Sequence, residues 1–267
     1  MSDAPVVIAS RDESVGIIEL ARPDKFNCLS FAVHEGLGHA LTEFERPGSG
    51  VRSILLRAQG KQFCTGADIS GGGPGEQSKP INGHMVRGLA RSHHRLVSAI
   101  FACRVPVVAA VQGAAMGAGL HIALAADFVI AGEQARFKDP FTDRGFSVDS
   151  GGSWLLPRLI GLTRAKRFLY LGEELDAATA VAWGLIAEVV PAGELDAVAL
   201  ARAEALAARP TQALAATKRL LHDSFGVGLD EAMHAETMAV ELTLRSNDFK
   251  EGMRAFVEKR PPEFTGT

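Results

Sequence analysis

The sequence has few cysteines, few tyrosines and tryptophans, and little net charge. Among its 267 residues are three cysteines, two tryptophans and one tyrosine, and the formal net charge is −3. Cysteines that form neither an even set nor a Cys-x-x-Cys pair exclude a disulfide framework, and we expect reduced thiols. The small net charge excludes the basic field that would attract nucleic acid or anionic lipid. Apolar residues at 47% exclude a disordered chain.

The sequence also has little that would direct it to or across a membrane. The first ten residues, MSDAPVVIAS, contain no basic region and no long apolar stretch, so we predict no signal peptide and a cytoplasmic location. Residues 105–131 form an apolar run long enough to span a bilayer, but Pro106, Gln112 and three glycines interrupt it. A strand, a glycine turn, a buried helix and a second strand explain the run better than a membrane helix.

Several catalytic motifs are missing. There is no Gly-x-Ser-x-Gly elbow and no phosphate-binding loop of the Gly-x-x-x-x-Gly-Lys type. His34 and His39 are five residues apart and point to different faces of a helix, so we expect no metal site there. Residues 113–119 fit a Gly-x-x-x-Gly-x-Gly dinucleotide turn, but the Tyr-x-x-x-Lys pair of the corresponding dehydrogenases is absent, since Tyr170 is followed four residues later by Glu174.

Glycine is abundant, with 28 residues, and the chain alternates strands with helices before about residue 190. The order predicts an α/β fold followed by a helical C-terminal region. Residues 70–83 are predicted to be a mobile loop. The predicted strands are 6–10, 16–20, 51–57, 63–64, 105–111, 128–131 and 186–190; the predicted helices are 31–45, 85–102, a short helix after the glycine turn, 163–171, 177–183, 195–208, 211–222, 229–244 and 248–258.

Two glycine turns have chemical potential. FCTGADI at residues 63–69 and GAAMGAGLH at residues 113–121 each follow a predicted strand, and the second opens a helix. The first N–H groups of a helix are unpaired and carry partial positive charge. Two such groups that converge on one point make an oxyanion hole. Taken singly, each turn is better explained as a tight connection.

Taken together and in order, these segments resemble the crotonase, or enoyl-CoA hydratase/isomerase, superfamily. The likeness covers nearly the whole chain and includes Arg22-Pro23, DSGGSWLLPRLIG at residues 149–161 and EGMRAFVEKRPPEFTG at residues 251–266. It implies a ββα spiral core over residues 1–194 and a helical region over residues 195–267 that builds a homotrimer or a dimer of trimers. It also implies an acyl-CoA substrate and no tightly bound cofactor.

The resemblance assigns roles to individual residues. The thioester carbonyl would accept hydrogen bonds from the backbone N–H groups of Ala67 and Ala118, and the oxyanion hole would stabilise an enolate. Coenzyme A would bind along the backbone of Asp68 and Ile69. Two lysines would bind its phosphates, Lys25 and Lys259.

The reaction itself is less clear from the resemblance. Hydratases of this superfamily carry two glutamates, and their positions here are His121 and Phe141. Asp149 instead matches the aspartate of a subgroup that includes the ring-epoxide isomerase of phenylacetate breakdown and Δ3-Δ2-enoyl-CoA isomerases. We therefore expect an isomerase that uses Asp149, with His121 as a second candidate acid or base. A hydratase-like lyase using His121 or a shifted aspartate, Asp139 or Asp143, and a degenerate acyl-CoA-binding protein are the alternatives.

Overall fold

The computed structural model describes residues 4–68, 88, 90 and 92–267. Within these residues two sheets and a set of helices form an α/β architecture. The strands are β1 (Val7–Asp12), β2 (Val15–Leu20), β3 (Ser53–Ala58), β4 (Val107–Val111), β5 (Ala114–Met116), β6 (Phe128–Gly132), β7 (Arg136–Lys138), β8 (Glu174–Asp176) and β9 (Glu188–Val190). The helices are α1 (Phe31–Glu45), α2 (His93–Phe101), α3 (Ala118–Leu124), α4 (Gly152–Leu171), α5 (Ala177–Trp183), α6 (Leu195–Ala207), α7 (Thr211–Asp223), α8 (Leu229–Thr243) and α9 (Asn247–Glu258).

The larger sheet has the strand order β1-β2-β3-β4-β6-β9. Only the β1–β2 hairpin is antiparallel; the other neighbours in this sheet are parallel. Leu55 of β3 and Val108 of β4 face the alanine-rich helix α6. Together they form a second hydrophobic cluster, separate from the main core on the other face of the sheet. Helices thus cover both faces of the sheet, which explains why its central strands are apolar runs without alternation.

The smaller sheet has the order β5-β7-β8 and was not predicted. Each of its strands has three residues, too few to show a period of two in the sequence. An isolated bridge joins Cys64 to Ala115 of β5, so the predicted short strand at residues 63–64 is present only as this bridge. Strand β5 lies inside the segment that had been predicted to be a simple glycine turn.

The apolar run at residues 105–131 forms β4, β5, α3 and β6, which confirms the strand, turn, helix and strand order apart from the added β5. Among the described residues, no helix combines the length and the apolar character needed to cross a membrane. Helix α3 is short and all of its residues are buried. The run is hydrophobic because it occupies the centre of the protein.

The helical C-terminal region is confirmed, with each of α6 to α9 within one residue of its predicted bounds. Helix α4, by contrast, begins at Gly152, eleven residues before its predicted start, and is broken at Gly161, whose φ is 76°. Of the predicted helix at 85–102, α2 and residues 88 and 90 are described as helical. The predicted loop at 70–83 lies outside the described residues, and the domain boundary after residue 194 stays a prediction.

Candidate active site

The first glycine turn presents the N–H of Ala67 away from its partner strand. Leu29 pairs with this turn: its N–H donates to the carbonyl of Gly66 at 2.8 Å, and its own carbonyl accepts from the N–H of Asp68 at 3.2 Å. In such a parallel bridge the intervening residue directs its N–H to the other side. Ala67 is exposed, and its N–H has no acceptor among the described residues.

The second turn places Ala118 at the start of α3. Gly117 has φ 52° and ψ −125°, a conformation that only glycine adopts readily. Its N–H donates to the carbonyl of Lys138 at 2.9 Å. Ala118 is the first helical residue, so its N–H has no partner within the helix, and the residue is only 3% exposed.

The two turns lie against each other. The N–H of Cys64 donates to the carbonyl of Ala114 at 3.0 Å, and the N–H of Met116 donates to the carbonyl of Cys64 at 2.9 Å. A Cβ built on Gly66 would lie 3.8 Å from the backbone nitrogen of Ala118. The glycines therefore allow the close approach of two backbone segments that each carry an unpaired N–H, as an oxyanion hole requires.

Arg22 contacts Asp68 at the end of the first glycine turn, and the sequence analysis did not predict this contact. Its Nη1 lies 3.0 Å from Oδ2 of Asp68 and 3.0 Å from the carbonyl oxygen of Cys28. The side chain of Asn27 accepts from the N–H of Arg22 at 2.8 Å. Both members of the ion pair are largely buried. The pair anchors the residue that directly follows Ala67.

Asp149 lies immediately before α4 and is held by a histidine. Its Oδ1 is 2.6 Å from Nε2 of His94, which is on α2. The Asp149 side chain is 20% exposed and that of His94 is 46% exposed. Burial acts to raise the pKa of Asp149, but hydrogen bonds from His94 and at the Ser150 backbone outweigh it, so the pKa lies below its ordinary value.

His121 forms a second, fully buried pair with Asp139. Nε2 of His121 is 3.1 Å from Oδ2 of Asp139, and both side chains have 0% exposure. The two atoms are close but not aligned for a hydrogen bond, and neither of them makes one with any other described residue. Gly152 packs on the imidazole: a Cβ there would lie 2.5 Å from Nε2 of His121. The ring is thus enclosed between Asp139 and the first turn of α4.

Two further histidines lie behind His94. The rings of His34 and His93 meet edge to face with centroids 4.5 Å apart, and Nδ1 of His34 lies 2.7 Å from the carbonyl of Ser30, which makes it the donor. Burial lowers the pKa of His34, and burial followed by the neighbouring His34 lowers the pKa of His93 to about 4. Both are therefore neutral at pH 7.

The structure shows few contacts between the residues predicted to bind coenzyme A and the two glycine turns. Lys25 is exposed and ends a short turn, Pro23–Lys25, just before the segment that pairs with Ala67. Lys259 is exposed at the end of α9, and no contact among residues 4–68 and 92–267 joins it to the first turn. The side chain of Asp68 is engaged by Arg22. Ile69 lies outside the described residues.

The sequence analysis singled out the two glycine turns and Asp149, whose roles stay predictions, but missed His94 and the partnership of His121 with Asp139. His94 is 55 residues from Asp149 along the chain. No periodicity or local motif links residues so far apart, and only the packing of α2 against the loop before α4 brings them together. Asp139 had been noted only as an aspartate close to a missing glutamate.

Comparisons with known proteins identify the family of the chain. The family model described as enoyl-CoA hydratase/isomerase matches residues 10–267. A protein of Rhodobacter capsulatus named probable enoyl-CoA hydratase is 40% identical over 259 residues, which cover 95% of each chain. The 1,2-epoxyphenylacetyl-CoA isomerase of Escherichia coli is 34% identical over 262 residues, covering 97% of this chain and 98% of the relative.

Among solved structures, a putative enoyl-CoA hydratase from Streptomyces coelicolor superimposes with a TM-score of 0.91 and 34% identity, covering 100% of this chain and 98% of the other. The predicted crotonase fold, with two sheets and a C-terminal helical region, is confirmed. The predicted closeness to the isomerase subgroup is not resolved, because the relative named as a hydratase shares more identity. With two facing backbone turns and a match over nearly its full length, the chain belongs to the enoyl-CoA hydratase/isomerase family, whose members act on CoA thioesters.

Proposed function

We propose that the protein is an enoyl-CoA isomerase in which Asp149 is the acid and base. The observation that carries this proposal is the Asp149 carboxylate, which is partly exposed just before α4 and accepts a hydrogen bond on Oδ1 from His94. A 1,3 proton shift needs one group that removes a proton and returns it at a second carbon. The N–H groups of Ala67 and Ala118 would stabilise the intermediate.

In the proposed reaction a 3-enoyl-CoA loses its α proton to the Asp149 carboxylate. The electron pair of the broken C–H bond moves into the thioester, giving a dienolate whose oxygen accepts hydrogen bonds from the two turns. The protonated Asp149 then donates the same proton to the γ carbon, and the electrons return to form the 2,3 double bond. No oxidant, reductant or water is consumed, so one carboxylate is sufficient.

Hydration is the second candidate, and the name of the Rhodobacter capsulatus relative favours it. Adding water needs an acid and a base directed at that water. Among the candidate groups for this role, His121 and Asp139 have no exposed surface. The side chain of Asp143 is paired with Lys138, whose Nζ lies 2.8 Å from its Oδ2. These contacts support a structural role for His121, and they favour isomerisation over hydration.

A product screen tests the proposal. The protein is incubated in D2O with 2-enoyl, 3-enoyl and ring-containing CoA esters, and products are followed by mass spectrometry and NMR. We expect interconversion of 3-enoyl and 2-enoyl esters with little 3-hydroxyacyl product. Rapid hydration of the 2-enoyl ester would establish the second candidate instead. Binding of the esters without any turnover would indicate a degenerate acyl-CoA-binding protein.

For coenzyme A we propose binding along Asp68 and Ile69, with Lys25 and Lys259 near the phosphates. The exposed position of Lys25 beside the first turn supports this placement. A Lys25→Ala variant should raise KM for acyl-CoA, with the largest difference at low ionic strength. A KM that is independent of Lys25 at low salt would remove this lysine from the site.

We also propose that the chain assembles as a homotrimer or a dimer of trimers. Helices α8 and α9 expose large apolar side chains that a second copy would cover, for example Leu229, Leu242, Phe256 and Val257, each at least 68% exposed. Sedimentation velocity measures the assembly directly. A monomer at micromolar concentration would contradict the proposal.

A further inference from the structure

The geometry points to His94 as a positioning residue that holds Oδ1 of Asp149 and leaves Oδ2 as the oxygen that carries the proton. This inference rests on the proposed role of Asp149. A carboxylate has two oxygens and can rotate, so a base that must return a proton to a second carbon benefits from a single orientation. The 2.6 Å contact between Nε2 of His94 and Oδ1 supplies that orientation.

The two residues sit on elements that pack against each other. Val97 lies one turn after His94 on α2, and a Cβ built on Gly151 would lie 3.3 Å from it. Ser150 and Gly151, which follow Asp149, have φ values of 53° and 85° and form a tight left-handed bend into α4. Because this bend is closely packed on α2, the backbones that carry His94 and Asp149 are held at a fixed separation.

Among residues 4–68 and 92–267, His94 and His93 are the titratable groups that most affect the pKa of Asp149. His93 lies on the same helix, and its pKa of about 4 keeps it neutral above pH 5. The His121–Asp139 pair approaches from α3, behind Gly152. His34 lies behind His93, is also neutral at pH 7, and does not reach Asp149 by any contact in the described part of the chain. Within the described part of the chain, the hydrogen bond from His94 is the largest influence that favours the charged carboxylate, and the hydrogen bond at the Ser150 backbone is the next largest.

The sign of the effect follows from the two opposing influences on Asp149. Burial disfavours the carboxylate and raises its pKa, whereas the bond from His94 favours it and lowers the pKa. Removing His94 leaves burial less opposed, so the pKa of Asp149 rises. Since the base must be deprotonated, the acid limb of the kcat–pH profile moves to higher pH.

The test compares His94→Ala with His94→Gln, whose amide nitrogen can reach a similar position and donate. The control is Ser98→Ala, one turn further along the same exposed side of α2. We expect His94→Ala to lower kcat about tenfold, to change KM little and to move the acid limb upward by about one pH unit. His94→Gln should recover most of both effects, and Ser98→Ala should match the parent protein.

A kcat–pH profile of His94→Ala that superimposes on that of the parent would overturn the inference. So would equal losses in His94→Ala and His94→Gln, since a donor at that position would then be irrelevant. The pKa of Asp149 can also be measured without turnover, by 13C NMR of the carboxyl carbon with Asp149→Asn to assign the signal. If the protein fails to isomerise enoyl-CoA, the proposed function fails, while an unshifted Asp149 pKa in His94→Ala rejects the role of His94 separately.

Discussion

Two histidine–aspartate pairs lie near the first turn of α4 in the described part of the chain. His94 and Asp149 are 46% and 20% exposed, whereas His121 and Asp139 are both 0% exposed. The partly exposed pair makes a short hydrogen bond, and the buried pair is close without hydrogen-bond alignment. Gly152, three residues after Asp149, packs directly on His121 and separates the two pairs.

The comparison shows that residue type does not decide which pair can perform the proposed chemistry. Both pairs offer a carboxylate next to an imidazole, but only the outer pair has surface that a substrate could reach. The inner pair includes His121 of α3, the helix that also carries Ala118. Its burial is suited to holding that helix against α4, because a buried pair that loses one member leaves an unpaired polar group.

The largest expected effect is on turnover when the outer carboxylate is neutralised. Asp149→Asn keeps the size of the side chain but removes the base, so kcat for enoyl isomerisation should fall by about 10²–10⁴-fold. Binding of CoA esters, measured by calorimetry, should persist. Asp143→Asn is the matched variant, since this aspartate is the exposed alternative. Loss of activity in Asp143→Asn with normal turnover in Asp149→Asn would exchange their roles.

The buried pair is expected to affect stability more than chemistry. Asp139→Leu removes one member of a pair with no exposed surface and leaves the buried imidazole without a polar neighbour, so it should lower the free energy of unfolding by about 1–3 kcal/mol in urea titrations. Replacing both partners, as in His121→Leu with Asp139→Leu, should recover part of this loss. If Asp139→Leu kept its stability but lost turnover as Asp149→Asn does, the inner pair would be the catalytic one.

The N–H of Ala118 links the inner pair's helix to the proposed chemistry. Ala118→Pro removes this donor at the first position of α3, where proline is tolerated. One oxyanion donor contributes about 10²–10³-fold to kcat in other enzymes, and a similar loss is expected here. Ala118→Gly retains the N–H and should keep most of the activity. Full turnover in a folded Ala118→Pro variant would exclude this donor.

Substitution of Gly152 should lower both stability and turnover, because this residue packs on His121 and lies three residues after Asp149. Its added Cβ in Gly152→Ala would meet His121, so the unfolding free energy should fall by about 1–3 kcal/mol. Because Asp149 is only three residues away, kcat should also decrease. Gly145→Ala serves as a steric control, since a Cβ there meets nothing within 4 Å, although its φ of 77° adds backbone strain. Unchanged stability in Gly152→Ala would show that His121 can move aside.

The two glycine turns could be recognised from the sequence because the glycines that the backbone requires there are visible in it. Gly117 adopts a φ and ψ that other residues avoid, and Gly119 lies so close to the backbone and sulfur of Cys64 that no side chain fits. Helix α9 was also predictable, because the Ser246 side chain before it caps its start by accepting a hydrogen bond from the N–H of Phe249.

The first turns of α4 were not predictable in the same way. Gly151 and Gly152 precede it, Pro157 lies within it and Gly161 interrupts it. These residues predict a loop by local propensity, and the helix forms because Leu155 and Leu156 are buried in the core. The small sheet was missed for a related reason, because three-residue strands exist only through their pairing.

By itself the sequence determined the α/β order, the helical C-terminal region, both glycine turns and the candidate base Asp149, since each depends on neighbours within a few residues or on a family pattern. Tertiary structure alone decided which histidine meets which aspartate. His94 lies on α2 and Asp149 in the loop before α4, whereas His121 lies on α3 and Asp139 follows β7. The exposure of each pair depends on the packing of α2, α3 and α4. Burial is a property of the assembled fold, and here it separates the pair proposed to act on substrate from the pair that supports it.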